Sequence, residues 1–249
     1  MNKTIDLNAD LGEHHSLDID RQIMPYISSC NIAAGGHTGN EVTIRAAVRL
    51  AKQYKVAVGA HPSFPDKKNF GREEMTLSPD ELAGTLRAQI LKVKKVCTAE
   101  QVDLHHVKLH GALYNKAAAD RRTCKIVVQV LQEISPKSYW LLLANSVAES
   151  VAKNADYPYI REGFADRRYT PGLQLVDRSE KGAVLEEQNV LAQVKDLALN
   201  HQVSTAEGAY VPLHIQSICL HGDTKGAIMM AKKINAFLIE NGVTIAAIQ

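Results

Sequence analysis

Short apolar segments alternate with helical patterns along the whole chain, and this alternation limits the possible fold more than any other feature. Seven segments have the length and composition of strands, at residues 4–11, 29–34, 56–60, 106–110, 139–144, 159–164 and 216–221. Apolar residues spaced three and four apart predict helices between them, and Ser78, Pro79 and Glu81 form a helix start signal. Strands that alternate with helices usually pair in parallel. We therefore expect an α/β fold, and because no linker divides the chain, one domain over residues 1–249.

The composition indicates a soluble protein with a small-molecule partner. The 249 residues include 29 basic and 27 acidic side chains, and this small charge excess gives no reason to expect nucleic acid or an anionic membrane surface. The apolar runs are too short to span a bilayer, and the first ten residues lack the apolar region of a signal peptide. Four scattered cysteines without a C-x-x-C pair favour reduced thiols. We therefore expect a cytoplasmic location.

Each predicted strand has one apolar face and one face that is polar or very small. Side chains alternate across a strand, so residues of one parity share a face. The polar or small face carries Asp6, Asn8, Asp10, Asn31, His37, Gly59, His61, His106, Lys108, His110, Ser217, Cys219, His221 and Asp223. Ordinary α/β barrel interiors are instead filled mainly with Val, Ile and Leu. Because unpaired polar groups in a dry core are costly, we expect this face to line a wet or ligand-filled cavity.

Histidine recurs where the predicted strands end. His37, His61, His110 and His221 each follow an apolar run, and Asp10 lies near the end of the first strand. A single histidine after a strand often only caps loop backbone. The carboxyl ends of parallel strands meet at one edge, however, and ligands bind there in α/β folds. The recurrence therefore favours an active site.

The residue types near these ends suit hydrolysis. Histidine moves protons near neutral pH, and a carboxylate can orient it or activate water. Lys108, Arg72 and Arg167 supply fixed positive charge that can stabilise a developing oxyanion or a phosphate. These groups predict a hydrolase that uses proton transfer and electrostatic stabilisation.

The sequence indicates metal and nucleotide binding less strongly than it indicates proton transfer. Asp10, His37 and His61 could hold a divalent metal, but the chain lacks a compact ligand motif such as H-E-x-x-H, so the metal-free interpretation is preferred. Neither a Walker A sequence nor G-x-G-x-x-G is present, so the chain has no recognisable nucleotide cradle of its own. His221 to Thr224 lead towards the last predicted helix, whose N-terminal amides favour an anion.

Several longer motifs are similar to those of a known family. They are N-A-D-L-G-E from Asn8, N-I-A-A-G-G-H from Asn31, G-A-H-P from Gly59, F-G-R from Phe70, K-L-H-G-A-L-Y-N from Lys108, E-G-F-A-D-R from Glu162 with Tyr169 beyond it, and H-G-D from His221. In this order they closely resemble the LamB/YcsF family of 5-oxoprolinase A subunits over nearly the whole chain. The resemblance implies a TIM-like barrel of about seven parallel strands, of the glycoside hydrolase/deacetylase-like shape.

The resemblance also implies a reaction, a co-substrate and partners. It implies ATP-dependent opening of the cyclic amide of 5-oxo-L-proline (pyroglutamate) to L-glutamate, with ADP and phosphate as products, together with subunits B and C. Because nucleotide motifs are missing, we expect ATP handling to be shared with those subunits. Phosphorylation of the lactam oxygen would create a charged intermediate suited to Lys108, Arg72 and Arg167, while Asp10 or His61 could activate water.

The matching motifs assign site residues to the polar strand face. The expected catalytic residues are Asp10, His61, Lys108, His110, His221 and Asp223. The expected substrate-binding residues are Asn8, Glu13, Asn31, His37, Arg72, Asn115, Glu162, Asp166, Arg167 and Tyr169. Their individual roles stay hypotheses.

One segment departs from the family pattern, and two other function classes stay open. Where the family commonly has N-I-A-C-G-x-H-A-G-D, this chain has Ala34, Gly36, Thr38 and Asn40, and the missing acid at Asn40 puts any role of that position as a ligand or base in doubt. Leu109 replaces a usual proline and should matter less. The alternatives are a stand-alone metal-dependent amide or carbohydrate hydrolase or deacetylase, and a non-catalytic small-molecule binder.

Overall fold

Seven parallel strands close into a barrel in the computed structural model, which describes residues 3–13, 16–222 and 226–249. The strands of the chain are β1 (Lys3–Leu11), β2 (Ser29–Ala33), β3 (Ala57–His61), β4 (Leu104–Lys108), β5 (Tyr139–Leu143), β6 (Tyr159–Phe164), β7 (Gln202–Ser204), β8 (Tyr210–Pro212), β9 (Ser217–His221) and β10 (Val243–Ile245). Strands β1 to β6 pair in chain order, β6 pairs with β9, and β9 closes the barrel against β1. The single-domain α/β barrel expected from the sequence is thereby confirmed.

Helices surround the barrel and cover its apolar outer surface. They are α1 (Asp18–Ile23), α2 (Glu41–Tyr54), α3 (Pro79–Ala99), α4 (Gly111–Ala119), α5 (Arg121–Ile134), α6 (Val147–Asn154), α7 (Glu187–Lys195) and α8 (Ala227–Glu240), with a 3₁₀ turn at Met24–Tyr26 and a π-helical turn at Asp196–Asn200. Leu7, Val58 and Ile218 lie on the outward strand faces and are fully buried. Among the described residues, no helix combines the length and the apolar character needed to cross a bilayer.

Reciprocal capping boxes define the beginnings of α2 and α3. Ser78 accepts a hydrogen bond from the backbone of Glu81, whose side chain in turn accepts one from the backbone of Ser78, which confirms the predicted start of α3. At α2 the Asn40 side chain accepts from the amides of Val42 and Thr43 at 2.9 and 3.1 Å. Asn40 is exposed, and asparagine caps helices about as well as aspartate. The structure therefore gives Asn40 a capping role that does not need the acid.

The predicted strand at 106–110 is displaced in the structure, and three short strands were not predicted. Strand β4 begins at Leu104 and ends at Lys108, because the His110 amide leaves the sheet to donate to the Pro62 carbonyl and α4 begins at Gly111. The unpredicted strands are β10, which extends the sheet beside the start of β1, and the β7–β8 hairpin. Each has only three residues, which is too short to produce a recognisable period.

The lower barrel interior is filled by polar side chains that bond to each other, which corrects the expectation that the whole polar face lines a cavity. At the bottom, Asp6 accepts hydrogen bonds from Ser28, Ser29 and Ser217, three hydroxyl groups that converge on one carboxylate. Above it, the His106 imidazole occupies the space that a Cβ atom on Gly59 would need. Gly59 does leave space, but the His106 side chain on the neighbouring strand β4 fills it. Only the upper end of the interior opens to a cleft.

Candidate functional site

A lysine ammonium group buried inside the barrel forms the floor of the cleft. Lys108 ends β4 and is 2% exposed. Its Nζ lies 3.0 Å from Asp10 Oδ1 and 3.0 Å from Glu162 Oε1, and it donates to Cys219 Sγ at 2.9 Å. These partners come from β1, β6 and β9. Because an ammonium group has three N–H donors, the three contacts fix its position.

Electrostatics keep Lys108 and Asp10 in their charged forms. Burial alone would lower the pKa of Lys108, but the charge of Asp10, with Cys219 and Glu162, holds it well above its ordinary value. Burial would raise the pKa of Asp10, but His61 and Lys108 hold it well below its usual range. The floor of the cleft is therefore a charged pair at neutral pH.

A network of buried amides and a phenol orients the two carboxylates. Glu162 is fully buried, and it accepts from Asn8 Nδ2 at 2.9 Å and from the Tyr114 hydroxyl at 2.7 Å. Asn31 Nδ2 bridges Asn8 Oδ1 and Asp10 Oδ1, at 2.8 Å from each. Asn8, Asn31 and Glu162 lie beneath the floor, whereas Tyr114 also lines the cleft, and together they set the geometry of Lys108 and Asp10.

Two histidines meet at one side of the cleft. His61 ends β3 and His110 precedes α4, and His61 Nε2 lies 3.0 Å from His110 Nδ1 and 3.4 Å from Asp10 Oδ2. The other nitrogen of each ring contacts a carbonyl oxygen: His61 Nδ1 donates to Lys108 at 2.8 Å, and His110 Nε2 donates to Phe70 at 2.9 Å. Burial and the neighbouring His37 and His61 lower the pKa of His110 well below its ordinary value. The cluster thus directs one oxygen and two nitrogen atoms towards one another.

His37 lies behind this cluster. Its ring stacks on His110 with centroids 3.7 Å apart, and its Nε2 lies 3.0 Å from Glu13 Oε1. Burial, with Arg72 nearby, lowers the pKa of His37 to about 4, so the neutral ring donates to Glu13 at neutral pH. Its Nδ1 is buried without a hydrogen-bond partner among the described residues. His37 therefore supports His110 from behind.

A histidine–aspartate pair lies on the opposite strands, at the end of β9. His221 Nδ1 is 2.9 Å from Asp166 Oδ1, and Asp166 is fully buried. Burial would lower the pKa of His221, but Asp166 holds it above its ordinary value. The His221 ring stacks on Phe164 with centroids 5.4 Å apart. The carboxylate and the stacking orient an imidazole that lines the cleft.

Arginine side chains and Asp177 lie at the mouth of the cleft, which has a cavity volume of about 110 Å³ and is partly open to solvent. Arg72, Arg167 and Arg178 all line it. Arg167 is 4% exposed, and its Nη2 donates to the Val176 carbonyl at 2.6 Å. Its Nε is buried and has no hydrogen-bond partner among the described residues. The mouth therefore combines positive charge with an unused donor, an arrangement suited to a small anion.

The structure brings half of the predicted site residues to the cleft. Those that line it are Asp10, His61, Arg72, Lys108, His110, Asn115, Arg167 and His221. Asp223, like Thr224, lies outside the described residues, so its predicted role and the anion site at this turn stay predictions.

The remaining predicted substrate-binding residues do not line the cleft, and their role in substrate binding stays a prediction. They are Asn8, Glu13, Asn31, His37, Glu162, Asp166 and Tyr169. Most of them are held behind the cleft by contacts to other site residues, as described above. Tyr169 is fully buried, and its hydroxyl accepts from the Phe164 amide at 2.7 Å. Their observed contacts make them positioning residues.

Sequence reasoning also missed residues that belong to the cleft or touch its floor. Cys219 is absent from the expected site residues, although strand parity puts it on the same face as His221. Burial raises the pKa of Cys219 well above its ordinary value, so it is a neutral thiol. Tyr114 lines the cleft and lay within a recognised motif. Leu175 and Arg178 come from the long segment between β6 and α7, which has no local pattern.

Three groups of side chains in the described residues have the donor types and spacing to hold a metal ion. They are Asp10 with His61 and His110, Asp10 with Cys219 and His221, and Glu13 with His37 and His110. The predicted set of Asp10, His37 and His61 is not among these groups, since His37 Nε2 is directed to Glu13, and metal binding stays a prediction.

Comparison with known proteins places this site in a family. The LamB/YcsF family model matches residues 5–249. The chain is 40% identical to the 5-oxoprolinase A subunit of Haemophilus influenzae (strain PittEE) over 246 residues, which cover 98% of this chain and 100% of that protein. It is 39% identical to the 5-oxoprolinase A subunit of Staphylococcus aureus (strain Newman) over 248 residues, covering 98% of this chain and 99% of that protein.

Solved structures agree with these matches. The crystal structure of a lactam utilization protein from Thermus thermophilus superposes with a TM-score of 0.91 at 36% identity, covering 98% of this chain and 100% of that one. A family 4 carbohydrate esterase from Streptomyces lividans has a TM-score of 0.53 at 10% identity, covering 100% of this chain and 94% of that one, and shares the fold alone. On its sequence motifs, its barrel and these full-length matches, the chain belongs to the LamB/YcsF family.

Proposed function

We propose that this chain is the A subunit of a 5-oxoprolinase, which opens the lactam of 5-oxo-L-proline to L-glutamate in an ATP-dependent reaction. Its full-length similarity to proteins named as 5-oxoprolinase A subunits supports the assignment. The observation that carries it is the cleft itself, where the buried ammonium of Lys108 lies below the unused Nε donor of Arg167. A small, cyclic, anionic amide fits this arrangement.

The two ends of 5-oxoproline match the two ends of the cleft. The carboxylate suits the Arg167 guanidinium, whose Nε donor has no partner among the described residues and which shares the cleft with Arg72, Arg178 and Asp177. The lactam oxygen suits Lys108, whose weakest partner is the Cys219 thiol. A carbonyl oxygen that displaces this thiol leaves the contacts to Asp10 and Glu162 in place. Lys108 then stabilises the negative charge of this oxygen and of the phosphoryl group that the oxygen receives.

Proton transfer is assigned to the histidines on either side of the substrate. The ring nitrogen of the lactam must gain a proton as the C–N bond breaks, and His221, oriented by Asp166, is placed to give it. On the other side, His61 lies beside Asp10 and can receive a proton from the attacking water. The two imidazoles therefore have separate roles in one cleft.

We assign ATP as a co-substrate that this chain uses together with subunits B and C. Transfer of its γ-phosphoryl group to the lactam oxygen releases ADP and activates the carbon towards water. Water adds to that carbon, the C–N bond breaks to give the free amine and a γ-carboxyl phosphate, and a second water hydrolyses this acyl phosphate to L-glutamate and phosphate. Arg72 and Arg167 at the mouth are suited to the phosphorylated intermediate. The chain has no nucleotide motif, and we assign the nucleotide cradle to the partner subunits. The four buried free cysteines are consistent with a cytoplasmic location.

The test is glutamate formation from 5-oxoproline by the purified chain mixed with its partner subunits and ATP. His61→Ala and Lys108→Ala should each lower kcat by at least about 100-fold, because general base and oxyanion groups contribute that much. The matched controls are His214→Ala and Lys67→Ala, which change exposed residues outside the cleft. They should retain the activity of the unmodified complex.

Two results would contradict the proposal. One is the absence of glutamate when all subunits and ATP are present. The other is undiminished activity in both cleft variants. Hydrolysis of amides or acetylated sugars by the chain alone, without ATP, would instead identify it as a stand-alone hydrolase.

A further inference from the structure

The protonation of the two cleft histidines leaves a pair of nitrogen lone pairs facing each other. The carbonyl oxygens of Lys108 and Phe70 can only accept, so His61 Nδ1 and His110 Nε2 must both carry hydrogen. In neutral rings, His61 Nε2 and His110 Nδ1 are then both unprotonated, at a separation of 3.0 Å. Two lone pairs at this distance repel each other unless a cation or a proton lies between them.

A third donor atom points to the same place. Asp10 Oδ1 is held by Lys108 at 3.0 Å and by Asn31 at 2.8 Å, whereas Asp10 Oδ2 lies 3.4 Å from His61 Nε2. Each of the three side chains is therefore oriented through one atom and presents its other atom to a common point. This is the usual arrangement of metal ligands, whose second ring nitrogen donates to a carbonyl and whose carboxylate is hydrogen-bonded.

The distances also suit a small divalent cation. Two imidazole nitrogens bound at about 2.0–2.1 Å in tetrahedral geometry lie about 3.3 Å apart. The observed nitrogen–nitrogen and nitrogen–oxygen separations are 3.0 and 3.4 Å, so an ion fits with a shift of a few tenths of an ångström. All three residues also line the cleft, which leaves a further coordination position facing the substrate.

The two other groups of potential ligands are less suitable. In the group with Cys219 and His221, the thiol sulfur already accepts a hydrogen bond from the Lys108 ammonium, so it is not available to an ion. In the group with Glu13, the His37 Nε2 already contacts that carboxylate. Of the three groups, only the one around His61 has each ligand atom directed to the open point.

We propose that Asp10 Oδ2, His61 Nε2 and His110 Nδ1 bind one divalent transition-metal ion, Zn²⁺ or a similar cation, at the side of the cleft. Two imidazoles with one carboxylate are a ligand set typical of catalytic zinc, with a position left for water or substrate. The site itself stands on the geometry of this chain. With the ion bound, His61 Nε2 is a ligand and cannot also take the proton of the attacking water; the ion would instead lower the pKa of that water, and this role rests on the proposed function.

The experiment measures metal binding and does not require turnover. Untagged protein is stripped with a chelator and titrated with Co²⁺ and with Zn²⁺ alone, and the zinc-loaded protein is examined by X-ray absorption. We expect one equivalent bound by nitrogen and oxygen ligands, with two imidazoles and no sulfur at about 2.3 Å. A sulfur shell would indicate Cys219 and would overturn the proposal, as would the absence of stoichiometric binding.

Variants then identify the ligands. His61→Gln and His110→Gln should each weaken Co²⁺ binding by at least about 100-fold, more than the ~10–100-fold cost of losing a hydrogen-bond partner of a ligand. The matched control is His214→Gln, which changes an exposed histidine outside the cleft and should retain one equivalent with unchanged affinity. Cys219→Ser and His37→Gln test the two other groups, and one equivalent should still bind to each of these variants. Circular dichroism and thermal melting of the metal-free proteins establish that each variant is folded. Unweakened binding in the two ligand variants would contradict the assignment, whereas failure of the glutamate assay alone would leave the metal result standing.

Discussion

At the residue scale, Lys108 contributes both to the stability of the barrel and to the proposed chemistry of the cleft. We predict that Lys108→Met lowers the free energy of unfolding by about 3–5 kcal/mol, because Asp10 and Glu162 are left as buried charges without their cation. Urea denaturation measures the change. Adding Glu162→Gln to this variant should restore part of the lost unfolding free energy, because it removes one of the two unpaired carboxylates.

The matched control for Lys108 is an exposed ion pair. Arg87 and Glu133 lie 2.7 Å apart on the surface, between α3 and α5. Arg87→Met should cost less than about 1 kcal/mol, since solvent screens the pair. Equal losses of unfolding free energy in Lys108→Met and Arg87→Met would contradict the prediction, because the buried ion pairs would then stabilise the fold no more than the exposed one.

The cysteines should resist alkylation in the native protein. All four are buried, and burial raises the pKa of Cys97 and of Cys124 to about 12 each, so almost no thiolate is present at neutral pH. Mass spectrometry after iodoacetamide treatment should find no modification until urea is added. Rapid labelling of Cys219 in the folded protein would contradict its assignment as a neutral partner of Lys108.

At the scale of elements, Asp6 joins β1, β2 and β9 at the bottom of the barrel. Burial raises the pKa of Asp6, although the hydroxyls of Ser217, Ser28 and Ser29 oppose the shift. The folded state therefore binds this proton more tightly than the unfolded chain. The stability that the proton provides is lost as pH rises from about 3.9, the unfolded value, through the higher folded value.

Asp6→Asn removes this titration. We predict that the stability of the unmodified protein, relative to that of the variant, falls as pH increases across this window, by at most about 1.4 kcal/mol per pH unit. Urea denaturation of both proteins from about pH 4 to about pH 7 measures the difference. If the unmodified protein instead became more stable than Asp6→Asn as pH rises, the pKa of Asp6 would be lowered by folding, which would contradict the prediction.

The start of α3 gives a second prediction at this scale. Ser78→Ala should lower the free energy of unfolding by about 1 kcal/mol, because the side-chain bond to the Glu81 amide is lost. Ser150→Ala is the control, since Ser150 is exposed in α6 and caps no helix. Thermal melting of the two variants checks the prediction, and equal melting temperatures would contradict it.

The strands show which features of the site a sequence pattern predicts and which it does not. Strand parity correctly placed Asp10, Lys108 and Cys219 on one interior face, because alternation is a local property of extended backbone. Parity cannot tell which interior residues meet a ligand and which meet each other. Asn8 and Asn31 were expected at the substrate, but cross-barrel hydrogen bonds hold them below it.

At the scale of the whole molecule, barrel closure brings distant residues together. The floor of the cleft combines groups from β1, β4, β6 and β9, and His61 adds β3. Arg178 reaches the mouth from the segment between β6 and α7, through tertiary packing that no local pattern encodes. The family resemblance predicted the barrel, whereas the division into a sealed polar layer and an open cleft required the structure.

The most direct test of the account is a crystal structure of the protein with 5-oxoproline bound. We predict that the lactam ring lies in the cleft, with its oxygen at Lys108 Nζ in place of the Cys219 thiol and its carboxylate at Arg167 Nε. A ligand bound away from the polar strand ends, with Lys108 and Arg167 unchanged, would contradict the central claim.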